Sequence, residues 1–169
     1  MALIVEDGVG KSTADSYISV TDSDTYVTKY HGASHAWISL TTAVKEVLLR
    51  RAALYMDDHY LPRWKGYAST DTQALQWPRY NVVTESGWCV DSDDIPDNLQ
   101  RAQVEAGIRF NTDATAPQPD LDRGGKVKSE KVDVITVVYM DGASARTMYT
   151  QVDELLNDLL HPYGKMVRG

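Results

Sequence analysis

Apolar side chains recur along this chain at helical spacing in three places and with a period of two in a fourth. Leu40, Val44, Val47, Leu48, Ala52 and Tyr55 form one helical stripe, with Lys45, Glu46, Arg50 and Asp57 on the opposite face. Ser39 or Thr41 can cap this helix and Pro62 ends it, which predicts a helix from Thr41 to about His59. A second stripe, Leu99, Ala102, Ala106 and Phe110, runs to about Asn111. It follows Asp91, Asp93, Asp94, Pro96 and Asp97, residues suited to a helix start. A third stripe comprises Val152, Leu155, Leu156 and Leu159, with Leu160 beside it; it opens at Thr150, with Asp153 completing a weak capping box, and stops at Pro162. A shorter helix is expected from about Asp22 to Tyr30, capped by Thr21 or Ser23 and halted by Gly32. Between Lys126 and Met140, Val132, Val134, Thr136 and Val138 alternate with Asp133, Ile135, Val137 and Tyr139, which reads as a strand pair with Asp141-Gly142 as a turn. Residues 3–5 and 17–20 read as short extended pieces.

Two stretches break the pattern. Residues 61–95 contain Pro62, Gly66, Pro78 and Gly87, yet also Trp64, Trp77 and Trp88, so this segment is expected to fold over the helices and bury its indoles. Residues 112–125, with Pro117, Pro119, Gly124 and Gly125, read as a loop or arm. The elements together predict a mainly α fold: a small helical bundle with a minor β-hairpin element at about 126–149 and extended loop and C-terminal arms. Residues 1–160 are expected to form one domain and residues 161–169 a short, mildly basic tail.

Composition narrows the function classes. Among 169 residues, 24 acids outnumber 17 bases for a formal charge of −7, which argues against a general nucleic-acid coat. The acidity is uneven: net −2 over residues 1–90 and −5 over residues 91–169. A single cysteine, Cys89, excludes an intramolecular disulfide and a multi-cysteine zinc cage, and a reducing compartment fits. The apolar start, residues 2–5, is too short for a signal peptide, and no apolar run is long enough to span a membrane.

Gly8-Val9-Gly10-Lys11-Ser12-Thr13 imitates the end of a phosphate-binding P-loop, but Val5 stands where the first glycine belongs and residues 14–20 look extended rather than helical. A Gly-rich surface turn is the better reading, and a nucleotide-binding enzyme using Lys11 the weakest of the functional ones. His31 and His35 lack a third ligand and have Gly32 between them; Asp120, Asp122, Gly124 and Gly125 resemble a calcium loop but place Lys131 where a bidentate Glu is needed. No cofactor or metal is expected. Cys89 lies among Asp91, Asp93 and Asp94, which blunt a thiolate, and Ser144 lacks the second glycine of a nucleophile elbow, so no enzyme is expected. Arg123, Lys126, Lys128 and Lys131 are the one local basic cluster, interleaved with Asp120, Asp122, Glu130 and Asp133; a solvated or subunit-pairing hairpin suits them better than a DNA contact. The final leucine stripe reads first as core and second as a docking element, with Leu155, Leu156, Leu159, Leu160, Tyr163, Lys165 and Arg168 as candidate partner-binding residues.

Several blocks together carry a resemblance: residues 14–20, Leu48-Leu49-Arg50-Arg51-Ala52, residues 73–79 with Trp77-Pro78-Arg79, Ile95-Pro96, residues 128–132, and the run from Tyr139 to Arg146. Their order resembles the head–tail adaptor, or head-completion, family of the tailed-bacteriophage neck, some relatives of which are labelled DnaT-like single-stranded DNA-binding proteins. The resemblance implies a helical bundle with a small β element, and about twelve copies in a ring through which double-stranded DNA passes. It also implies a portal protein on one side and a stopper or tail-completion protein on the other. The location would be the virion neck, with the host cytoplasm during assembly. It carries no catalytic residues; Trp77, Pro78 and Arg79 read as structural, and the portal-binding segment maps loosely onto residues 155–169. An acidic ring wall would let DNA slide by repelling phosphate. The alternative is a replication accessory that binds single-stranded DNA.

Overall fold

The computed structural model describes residues 2–112 and 149–162, together with the backbone of residues 129–132 and 135–138. Over these residues the protein is mainly α with small antiparallel strand pairs, as the periodicity predicts. Helix α1 spans Val20–Tyr30, α2 Thr42–Tyr60, α3 Asp97–Thr112 and α4 Thr150–Leu156. Single 3-10 turns occupy Ala36–Ser39, Leu61–Arg63 and Asn157–Leu159. Between α2 and α3 run four two-residue strands: β1 (Tyr67–Ala68) pairs with β2 (Arg79–Tyr80), and β3 (Val82–Val83) with β4 (Cys89–Val90). The strands β5 (Ser129–Val132) and β6 (Ile135–Val138) pair with each other, Ser129 opposite Val138 and Val132 opposite Ile135.

Helix α3 is the centre of the bundle, packed against α1, α2 and α4. Its stripe of Leu99, Ala102, Ala106 and Phe110 is buried as expected, but so are Gln103, Val104, Glu105 and Ile108, because neighbours cover it on several sides. Gly107 fits this crowding: a Cβ there would lie 3.3 Å from the Trp37 ring. Gln103 satisfies its own burial, donating to Leu49 O and Ser16 Oγ (both 2.8 Å) and accepting from Tyr17 N (2.9 Å).

Several local expectations need correction. Helix α1 begins at Val20 and is capped by Ser19, whose Oγ accepts from Asp22 N and donates to Asp22 Oδ2; Thr21 and Ser23 lie within the helix. Its end is as expected: the His31 and Gly32 N–H groups both reach Val27 O, with Gly32 at φ +91°. Thr41 caps α2, but the buried face is rotated from the expected stripe. Val44 and Val47 are exposed while Lys45 and Asp57 are buried, because each of those charges has a partner: Lys45 Nζ lies 2.8 Å from Asp24, and Asp57 takes the Tyr17 hydroxyl. Residues 3–5 form no strand, only a parallel bridge between Val5 and Ser16. Thr150 is the first residue of α4 rather than its cap, and Asp153 instead accepts from the Tyr60 hydroxyl at 2.9 Å. Strands β5 and β6 are joined across residues 133–134, and the turn expected at Asp141-Gly142 lies outside the described residues. Among the described residues no helix is long and apolar enough to cross a membrane.

Candidate functional site

Two sub-regions of the stretch between α2 and α3 differ sharply, and the contrast locates the surface. The first is the Trp77-Pro78-Arg79 block, joined by a cis Trp77–Pro78 bond. Trp77 is fully buried, its ring edge-on to Trp64 at 6.0 Å between centroids. Arg79, also buried, spends its guanidinium on backbone: Nε donates to Lys65 O (2.8 Å), Nη2 to Gly66 O (2.9 Å) and Nη1 to Gln76 O (3.1 Å). Below it, Asp57 accepts from the Tyr17 hydroxyl and from Gln76 N (3.1 Å), while Trp77 N donates to the Tyr17 oxygen. Burial raises the Asp57 pKa to about 7 and pushes the Tyr17 hydroxyl well up; burial also lowers Arg79.

The second is the pair of ribbons that follows. Gly66 has φ +66°, and a Cβ there would sit 2.2 Å from Tyr80 O, so only glycine lets β1 approach β2 so closely. Tyr67 and Tyr80 then face each other across the pair, ring centroids 5.5 Å apart, and both are exposed. Asn81, at φ +58°, re-aims the chain so that Val82 is buried and Val83 exposed. The turn between β3 and β4 closes on itself, Thr84 N donating to Trp88 O at 2.9 Å and Trp88 N to Thr84 Oγ1 at 3.1 Å. Trp88 is left 76% exposed, against the expectation that this segment buries its indoles. Beside the ribbons an open groove of about 350 Å³ lies between Lys65, Asn81, Val83, Glu85 and His161. From residue 66 to 94 the exposed charges are all acidic, Asp71, Glu85, Asp91, Asp93 and Asp94; Arg79, the single base, is buried.

Elsewhere the cations are largely occupied. Lys65 Nζ donates to Asp158 O and Val83 O, Arg63 Nε to His161 O, Arg101 pairs with Asp97 and Arg50 with Asp15. The P-loop-like turn is a backbone nest filled from within. The N–H groups of Asp7, Gly8, Gly10 and Lys11 converge on the buried Glu6 carboxylate at 2.7–3.2 Å. Lys11 Nζ donates to Val5 O and pairs with Asp7, whose carboxyl it holds below the ordinary range. The turn is more embedded than a surface turn: Gly8 is buried against Asp93 O. Nothing in residues 6–13 announced that Glu6 would supply the anion.

Among the described residues no three His, Cys, Asp or Glu side chains gather as a metal site, and His31 instead meets the buried Glu105 at 2.7 Å beside the Tyr26 hydroxyl. Cys89 is a free, exposed thiol. The candidate partner-binding leucines divide. Leu156, Leu159 and Leu160 are buried in the core and Leu155 is half-buried against it, so they present no open docking stripe. Tyr163, Lys165 and Arg168 lie outside the described residues, as do Ser144 and the basic cluster up to Lys128. His161, the first residue of the expected tail, is held by Arg63: its N–H donates to Arg63 O at 2.7 Å.

The fold and surface define a small, mainly helical, acidic protein whose described surface includes an exposed aromatic ribbon. A family model described as "Putative DnaT-like ssDNA binding protein" matches residues 1–169, and the chain belongs to that family. No curated protein and no solved structure matches it.

Proposed function

We propose that this chain is a non-enzymatic structural subunit, a head–tail adaptor that assembles as a ring beneath a phage portal and lets double-stranded DNA pass. One observation carries the reading. The described cations are largely consumed by internal carbonyls and carboxylates, while the exposed aromatics Tyr67, Tyr80 and Trp88 belong to a stretch, residues 66–94, whose exposed charges are all acidic. Such a surface suits contact with protein more than with phosphate. The order of sequence blocks that resembles the adaptor family points the same way. Portal on one side, stopper or tail-completion protein on the other, and the virion neck as location belong to this proposal. Negative-stain imaging and native mass of the full chain, alone and with portal, test it. Rings are expected; a stable monomer that ignores portal overturns the reading.

A second reading, a single-stranded DNA-binding accessory, has the family description in its favour, which speaks of DNA and not of a ring. Exposed Tyr67, Tyr80 and Trp88 could stack bases, each worth about 1–3 kcal/mol when cations hold the backbone. Tight binding of oligo-dT with a steep salt dependence would establish this reading in place of the first.

A further inference from the structure

We propose that the ribbon face bearing Tyr67, Tyr80 and Trp88 receives the basic 123–131 segment and the β5–β6 hairpin of a second copy of this chain. The inference rests on the ring reading and names the surfaces that would build it.

The face is apolar and acidic together. Tyr67, Tyr80, Val83 and Trp88 are exposed, and Lys65 Nζ, reaching Val83 O at 3.2 Å and Glu85 at 3.8 Å, ties the approach to β1 onto the second ribbon. Glu85, Asp91 and Asp94 of the same stretch are exposed, with no exposed base between residues 66 and 94. An occupant therefore has to bring cations and an extended or hairpin backbone. Aromatic faces attract such cations as well as apolar groups.

The chain itself contains that chemistry. Residues 123–131 hold Arg123, Lys126, Lys128 and Lys131 against Glu130, with Asp122 and Asp133 at either end. They lead into β5, which pairs with β6 and, among the described residues, shares a sheet with no other strand. A two-stranded hairpin is marginal in water until something covers it. Because the acidic ribbons and the basic 123–131 segment with its hairpin are different patches, their contact is head-to-tail. Such a contact repeats from copy to copy and closes into a ring where the rotation permits.

Charge reversal tests the pairing with the full-length chain. Lys126→Glu/Lys128→Glu/Lys131→Glu reverses one side, Glu85→Lys/Asp91→Lys/Asp94→Lys the other, and Trp88→Ala removes the aromatic centre. Each is expected to weaken self-association by at least about tenfold, measured by mass photometry across a dilution series, with helical content unchanged by circular dichroism. Combining both reversals is expected to restore assembly to within about threefold. Wild-type rings that persist unchanged in all three variants overturn this interface and leave the ring reading standing; so does a combined reversal that fails to restore assembly. A wild-type chain that stays monomeric, with and without portal, overturns both. Oligo-dT binding that is lost in Trp88→Ala assigns the face to DNA and overturns the pairing.

Discussion

Trp77 and Trp88 belong to the same stretch between α2 and α3, where the longest strands are two residues, yet one is sealed in the core and the other stands in solvent. Around Trp77 the chain is held from a distance, by Tyr17, Asp57 and the carbonyls that Arg79 reaches. Around Trp88 the backbone is satisfied within its own turn, through Thr84, and the indole contributes nothing to that closure. Where side chains bridge remote segments, irregular backbone becomes core. Where the turn closes on itself, a large apolar side chain on it is free for something outside the molecule.

That contrast can be broken from either end. The largest effect is expected for Trp77→Ala, a loss of about 3–5 kcal/mol in urea unfolding, because a fully buried indole leaves a cavity. A loss under about 1 kcal/mol would mean that the block is not the anchor its contacts describe. Arg79→Lys is expected to cost about 2 kcal/mol, since an ammonium cannot reproduce the fork to Lys65, Gly66 and Gln76.

Asp57 gives a pH signature. Its folded pKa of about 7 lies above the ordinary 3.8, so between those values the folded protein holds a proton that the unfolded chain has released. Its contribution is complete below that window and is lost as pH rises through about 7. Relative to Asp57→Asn, the wild type is therefore expected to gain up to about 1.4 kcal/mol per unit as pH falls from 7 to 5, read from urea midpoints. A flat difference would place Asp57 among ordinary surface carboxylates. The smallest effect is expected at the other end: Trp88→Ala should change stability by no more than about 0.5 kcal/mol, while assembly falls.

The helices were legible because their signals are local. The Thr41 cap, the Gly32 stop and the α3 stripe are each written within a few residues. What escaped depends on partners far along the chain. Lys45 and Asp57 read as a solvent face of α2, and only Asp24 and Tyr17, brought there by the fold, make their burial affordable. Leu156, Leu159 and Leu160 read as core first and docking element second, and packing settles them in the core. Trp88 was misread for the opposite reason: composition counts an indole as core material, and a self-closing turn overrides it. The family match speaks for DNA, while the ring adaptor is the reading proposed from the order of sequence blocks.

The turn at residues 6–11 has one further consequence. Any free phosphate seeking those amides competes with a carboxylate tethered only a few bonds away, whose effective concentration is on the order of millimolar or higher. The chain thus carries a built-in competitive inhibitor of its own P-loop imitation, and Glu6→Ala is the single change that would remove it.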